Sequence, residues 1–476
     1  MRGSFLRSIR WIAALACALA TIAALAEQSA SVSQNTTQNA SQSAVMEQQF
    51  QAAIAAQDSG NLDRAEALLR DLHTHHPGIF AVDESLGLLL AGREDYSAAL
   101  PFLESAVREQ PSSDAAHANL GAACFQLHRS QQALREFQIA TRLNPRNATT
   151  QQSLGRLWME AHQPKRAADA FGAALLLKPS DPDLTLDLAQ ALSDAGDLAR
   201  AKETVQGMPG ADSSAAAQSL LGDIQEKSGA FKDAVQAYQR AATLDPSESN
   251  LWVLGVEFLR HWTFDGAIPE FEAGATRFPS SQRMKLGLGI AYFGNANYAS
   301  AIPIFADLLD ANSGNRFYSQ LLGMACTAVM QEPRPRCSSL VVYAQSHPHD
   351  TQAAVYAATG ILQGQPSEDQ MALAEKLLRN AIAADPKLPE AHFQLGIAEQ
   401  DCGNWAASIP NLEAAIAQKP ELAAAHYRLG LAYSHVGRKK EAQEQMALNN
   451  KYRDEQQQDL GRRLRQVTLF LLRQQN

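Results

Sequence analysis

Aromatic residues make up only 7% of this chain of 476 residues, and its formal charge is −9, with 41 basic side chains against 50 acidic ones. No basic stripe runs along it, so a nucleic-acid partner is excluded, because neutralising phosphates takes clustered lysine and arginine. There is no glycine-rich phosphate loop ahead of a lysine, no dinucleotide fingerprint after a strand, and no serine in a nucleophile elbow. The sequence therefore offers no catalytic residue, no cofactor site and no metal-ligand set. With so few rings and dense runs of alanine, the strongest helix former, the composition points to an all-α chain.

Beyond residue 26 no apolar run is long enough to cross a membrane. The first 26 residues read as an export signal. Arg2, Arg7 and Arg10 precede an uncharged stretch from Trp11 to Ala26, and Ala24-Leu25-Ala26 offers a small-x-small cleavage site. The alternatives are an uncleaved, membrane-tethering anchor, or lipidation at Cys17, whose preceding residues make a poor lipobox. Either way the expected location is periplasmic or extracellular. Residues 27–44 are Ser, Gln, Asn, Thr and Ala with almost no bulky apolar side chain, a composition that reads as a disordered linker.

From about Met46 the chain repeats. Pro77, Pro111, Pro145 and Pro179 are 34 residues apart, and Pro246, Pro279, Pro386 and Pro420 continue the ladder. Gly87, Gly121 and Gly155 keep step, followed by Gly222, Gly255, Gly289, Gly323, Gly396 and Gly430. Alanines recur at 65, 99, 133, 167, 201, 234, 267, 301 and 442, and four residues after most of them stands Leu69, Leu103, Phe137, Phe171, Val205, Tyr238, Phe271 or Phe305. The glycine, at repeat position 8, and the alanine, at position 20, fit where two helices cross closely. The large residue at position 24 fits the gap to the next helix pair, and proline at position 32 stops the second helix. Gly60-Asn61, Gly196-Asp197 and Gly403-Asn404 supply turns between helices.

This pattern resembles the tetratricopeptide repeat (TPR), a helix–turn–helix unit. Leu120-Gly121, Cys124, Ala133, Phe137, Ala140 and Pro145 match its positions in one repeat, and Leu429-Gly430, Tyr433, Gly437 and Ala442 in another. The resemblance spans 45–449 and implies a right-handed α-solenoid of about twelve units. Units five, nine and ten are degenerate: the fifth runs into Gly207-Met208-Pro209-Gly210, the ninth breaks at Pro333-Arg334-Pro335, and the tenth has a longer turn from Gln363 to Asp369. Residues 450–476, with Leu460, Leu464, Val467 and Leu471 at helical spacing, read as a capping helix.

The resemblance also implies that first helices line the inner, concave face. Reading their outward positions, units four to six present a polar and largely acidic set that includes Asp183, Asp187, Asp194 and Asp223. Units seven and eight present Trp252, Leu286, Ile290 and Phe293, and units eleven and twelve present Phe393, Ile397, Tyr427 and Leu431. These apolar residues are candidates for contact with a partner; packing inside the solenoid is the alternative. Asn119 falls where the family often clamps a peptide backbone. Cys326 and Cys337 sit one on each helix of unit nine and would form a disulfide in an oxidising compartment, or remain two core thiols. His73, His75 and His76, and His347-Pro348-His349-Asp350, fall at the ends of second helices, where they complement the helix dipole. The functional expectation is a scaffold or adaptor holding a peptide or partner protein in its groove. The alternative is a structural subunit of a cell-envelope or exopolysaccharide assembly, and an enzyme stands last.

Overall fold

The computed structural model describes the backbone of residues 36–329 and 336–473, and side chains over 44–329 and 336–457. The expected signal, residues 1–26, lies outside the described residues. The described chain is helical and strand-free, and its helices pair into twelve antiparallel hairpins joined by short turns. They fall into two bodies, divided after Leu244, and within each body successive hairpins stack as an α-solenoid.

The regular repeat is uniform because the same local chemistry recurs. First helices run 13 residues, as in Asp114–Gln126 or Ala148–Glu160, and regular second helices run 14, as in Ser130–Leu143. Many starts are set by side-chain caps: Ser113 accepts from Ala116 N, Asn147 from Thr150 N and Asp197 from Arg200 N. The turn between the two helices always needs one left-handed residue, at position 15. Gly60, Gly196, Gly229, Gly403 and Gly437 supply it without strain, and Glu94, His128, His162, Trp262 and Ala296 adopt it at positive φ in the other regular repeats. Trp262 is thereby held 81% exposed on a turn.

In eight hairpins the position-24 side chain is seated on the position-8 glycine, whereas repeats one, five and ten carry Ala53, Ala189 and Ala358 there. A Cβ on Gly155 would lie 2.6 Å from the ring of Phe171, one on Gly222 2.5 Å from Tyr238, and one on Gly255 2.6 Å from Phe271. The position-24 side chain thus closes over the glycine of its own hairpin, not only the gap to the next one. Phe271 does both, since a Cβ on Gly287 of the following repeat would stand 2.4 Å from it. The position-20 alanines are fully buried from Ala65 through Ala301, which leaves the helices no room for a larger residue at their crossing.

The degenerate repeats differ in their second helices. Repeat five has a 9-residue second helix, Leu198–Gln206, and repeat nine another of 9, Ser338–Ser346. Repeat ten has one of 17, Glu368–Ala384, opened by a Ser367/Gln370 capping box. In repeat nine Cys326 and Cys337 are joined by a disulfide, with their Cα atoms 5.9 Å apart.

Two domain boundaries move. Residues 36–44, read above as linker, belong to the first helix, Thr36–Asp58. Once the packed part of that helix exists, each Gln, Ala or Ser added at its end gains a hydrogen bond without a new nucleation step. At the other end there is no separate helix over the described residues 450–473: the second helix of repeat twelve continues without a break as Lys439–Arg473, 35 residues. Between Leu448, near its expected end, and Gly461 stands neither proline nor glycine, so nothing in the sequence stops the helix there.

Candidate functional site: the row of first helices

Within each body, first helices of neighbouring repeats touch one another directly at several steps, whereas among described second helices only those of repeats eight and nine do so comparably. The first helices therefore form the inner row, and their positions 5, 6, 9 and 12 decide what a partner meets.

In the N-terminal body this row is cross-tied by polar contacts, and in repeats four to six it is largely polar. Asn119 donates to Glu84 Oε1 of the preceding repeat at 3.2 Å, so its amide is engaged within the stack. Gln152 and Arg156 both donate to Asp187 of the next repeat, at 3.0 and 3.2 Å. Lys227 donates to Asp194 at 2.8 Å and to Ser193 at 3.1 Å. Burial acts to raise the Asp194 carboxyl, but hydrogen bonds from Lys227 and Gln190 outweigh it and hold the group below its ordinary value.

In repeats seven and eight of the C-terminal body the row is apolar. Trp252 is half-buried, with its edge on Phe271 at a centroid distance of 5.6 Å and the Arg283 guanidinium over its ring at 5.7 Å. Arg283 is fixed there by Glu248, which lies 2.5 Å away, and Glu248 also accepts from Ser281. Those two hydrogen bonds, Ser281 first, hold the Glu248 carboxyl below its usual range. Leu286, Ile290 and Phe293 lie half-buried along one helix, packed against the core of repeats eight to eleven. Phe293 also meets Tyr298, its centroid 5.3 Å away.

Further along, Phe393 packs against the core cluster of Leu412, Leu429 and Tyr433. Ile397 and Leu431 are half-buried, and Tyr427 is 45% exposed. The first group shares one surface because all four residues come from adjacent helices. The second is set apart from it by repeats nine and ten, which carry Gln320, Met324, Val355 and Thr359 at positions 5 and 9.

Several polar devices escaped the sequence reading. Tyr292 donates to Glu272 of the preceding repeat, and Tyr433 donates to Glu413 of its preceding repeat at 2.5 Å. The hydrogen bond to Glu272, with burial, pushes the Tyr292 phenol up to about 12; burial first, then Glu413, pushes Tyr433 to about 12. The common signal is tyrosine at position 11 and glutamate at position 25, visible only once the register is fixed. A second device is histidine at position 4. His117 hydrogen-bonds Glu136 at 2.7 Å and the Pro111 carbonyl at 3.0 Å. His426 repeats this with Gln445 and Pro420, and His392 with Asn411 and Pro386. The spacer prolines thus supply carbonyl acceptors as well as ending helices.

The histidines singled out at helix ends do not converge on a common point. His73 pairs with buried Asp83 at 2.5 Å, His75 turns to Asp71, and His347 stacks on Tyr343 at 4.2 Å.

Glu270 occupies the position that pairs with histidine elsewhere, but its repeat has Leu251 in the histidine's place. Burial alone raises its carboxyl above the ordinary glutamate value. Between the ordinary and raised values the folded chain keeps a proton that the unfolded chain has released, so stability falls as pH rises through that window. Glu270→Gln removes the cost. Its melting temperature is expected to exceed wild type by about 2 °C at neutral pH, with no difference near pH 4 where both forms are uncharged. Equal melting at both pH values would contradict this assignment.

Family models described as tetratricopeptide repeat match residues 88–157 and 159–224. Others of the same description match 50–114, 254–316 and 393–448, and 215–248. No curated protein matches the sequence. Among solved structures, the chain is similar to YrrB, "a TPR protein with an unusual peptide-binding site", at 18% identity over 38% of this chain and 94% of that one, TM-score 0.36. It is also similar to a chain of the Naa15/Naa10 complex bound to HypK, at 13% identity over 85% of this chain and 68% of that one, TM-score 0.38. PilF of Pseudomonas aeruginosa matches at 16% identity over 51% of this chain and 95% of that one, TM-score 0.32.

Proposed function

The chain belongs to the tetratricopeptide-repeat family, and from that premise we propose that it is an exported, non-catalytic scaffold that holds a partner protein or peptide on the first-helix row of its C-terminal body. The observation that carries this is a difference in chemistry between first helices of the two bodies, each taken by itself. In repeats four to six the inner positions are polar and already bonded to each other. In repeats seven and eight the same positions carry Trp252, Leu286, Ile290 and Phe293, half-buried and open on one side. Large apolar side chains left part-exposed on an inner face can still bury area against a partner, and tryptophan is a frequent anchor for such contacts.

Two observations support export. The arginine-led apolar stretch at residues 2–26 has the form of a signal, and a Cys326–Cys337 disulfide is a bond that persists in oxidising compartments.

The test is the double variant Trp252→Ala with Phe293→Ala, purified beside wild type and passed over immobilised partner recovered from envelope extract. Partner affinity is expected to fall by roughly 100-fold, as for loss of two interface anchors, with helical content by circular dichroism unchanged. Undiminished capture by a folded double variant would remove the function from this row.

A further inference from the structure

Repeat nine is the one described hairpin whose own helices scarcely pack on each other. Its position-24 residue is Ser339, and the Ser339 hydroxyl is turned to Asp310 of repeat eight. Its position-8 glycine, Gly323, is instead covered by Tyr356 of repeat ten, whose ring would stand 2.4 Å from an added Cβ. The short second helix, Ser338–Ser346, lies mainly against Thr351–Leu362 of repeat ten.

Besides the polar contacts of Ser339 and Arg336 with repeat eight, three ties hold that helix. At its far end Tyr343 donates to buried Asp350 at 3.1 Å, and Asp350 caps the next helix through Ala353 N. Along its length Leu340 is buried in the common core. At its start stands Cys337, half-buried, bonded to Cys326, which is 1% exposed on the last turn of Arg316–Ala328. Arg336 beside it reaches Asp307 at 2.9 Å and Asp310 at 2.5 Å, both on repeat eight and both more than half exposed. The disulfide is thus the tie that joins the start of this helix to its own hairpin, where eight of the other repeats seat their position-24 side chain on their own position-8 glycine.

We propose that this bridge makes repeat nine a redox-controlled joint: oxidised, it locks Ser338–Ser346 to its hairpin, and reduced by a dithiol it releases the helix start while the flanking repeats stay folded. The chemistry is thiol–disulfide exchange. A thiolate of the dithiol attacks Sγ of Cys337, the more exposed sulfur, and the S–S bond breaks. Cys326 leaves as a thiolate and takes up a proton in its buried site. The second thiol of the reductant then attacks the mixed disulfide, freeing Cys337 and closing the reductant's own disulfide, so two electrons pass to the protein. Release is local because repeats eight, ten, eleven and twelve keep their own interlocks: Phe305 on Gly289, Leu377 and Leu378 in the core, Leu412 on Gly396, and Met446 on Gly430.

Hydrogen exchange read by mass spectrometry on the full chain tests this, oxidised and after dithiothreitol, with thiol labelling to verify the state of Cys326 and Cys337. Amides of 338–346 and of the end of 316–328 are expected to exchange about tenfold faster or more on reduction, as for loss of a covalent cross-link in a local opening unit. Amides of 282–311 and 405–435 are expected to hold their oxidised rates. The double variant Cys326→Ala/Cys337→Ala should show the reduced pattern without reductant. Unchanged exchange over 338–346 after verified reduction would overturn the proposal. So would faster exchange across the whole C-terminal body, or a purified chain in which both thiols label without reductant.

Discussion

Phe271→Ala is expected to cost about 3–5 kcal/mol, the range for removing a fully buried phenylalanine whose surroundings cannot collapse. Phe271 has no exposed surface, and two glycines of successive repeats, Gly255 and Gly287, press on its ring while Trp252 meets it edge-on. A glycine has no side chain with which to fill the void, and both helices are held by their other neighbours, so relaxation is limited. Because each repeat contacts chiefly the next, the loss is felt first as local opening. Urea denaturation should show a lowered midpoint, and hydrogen exchange should show faster opening across 248–294, with 62–126 in the other body unchanged. A loss below about 1 kcal/mol would mean that the ring contributes no more than an ordinary surface side chain.

The reverse substitution, filling the glycine instead of emptying the ring, has a predicted sign that depends on which glycine is chosen. At Gly255 the first added atom already lies 2.6 Å from Phe271, so Gly255→Val must force the two helices apart. Overpacking of this kind costs about 3 kcal/mol or more when neither neighbour can yield. At Gly172, within Pro164–Leu177, nothing lies within 4 Å of an added Cβ. Gly172→Ala should therefore raise stability by roughly 0.5–1 kcal/mol, because alanine gives up less backbone freedom in a helix. Parallel urea titrations of the two variants check this. If both fall, or both rise, the close approach of helices at position 8 is not what the glycine ladder is for.

The ladders of glycine, alanine and proline made the hairpin architecture legible, because each marks a backbone constraint that repeats in sequence. Gly255 and Ala267 could be placed at a helix crossing from spacing alone. The partner of that glycine was harder to place. Phe271 serves its own hairpin and the next, and a linear period cannot distinguish two helices that approach the same ring. The tyrosine ties failed to appear for a related reason: Tyr433 and Glu413 are twenty residues apart and belong to different repeats, so their pairing depends on how hairpins stack. The boundaries of the array misled because composition was read in isolation. Residues 36–44 look unstructured as a fragment, yet they extend a helix that the packed residues after them have already nucleated.

The candidate surface was legible in identity and less so in exposure. Leu286, Ile290 and Phe293 do lie on the first-helix row, but each spends part of its surface on the core of repeats eight to eleven. Tyr427, at 45%, is the most exposed of the eight apolar candidates. Asn119 shows the limit of analogy by position: its amide is already committed to Glu84.

A photoreactive phenylalanine analogue placed at Ile290 or Tyr427, on first helices, or at Val342, on an outer second helix and 65% exposed, tests the central claim most directly. Irradiation in the presence of partner should give the same covalent adduct from Ile290 and Tyr427 and none from Val342. An adduct confined to Val342 would place recognition on the outer helices and contradict the account.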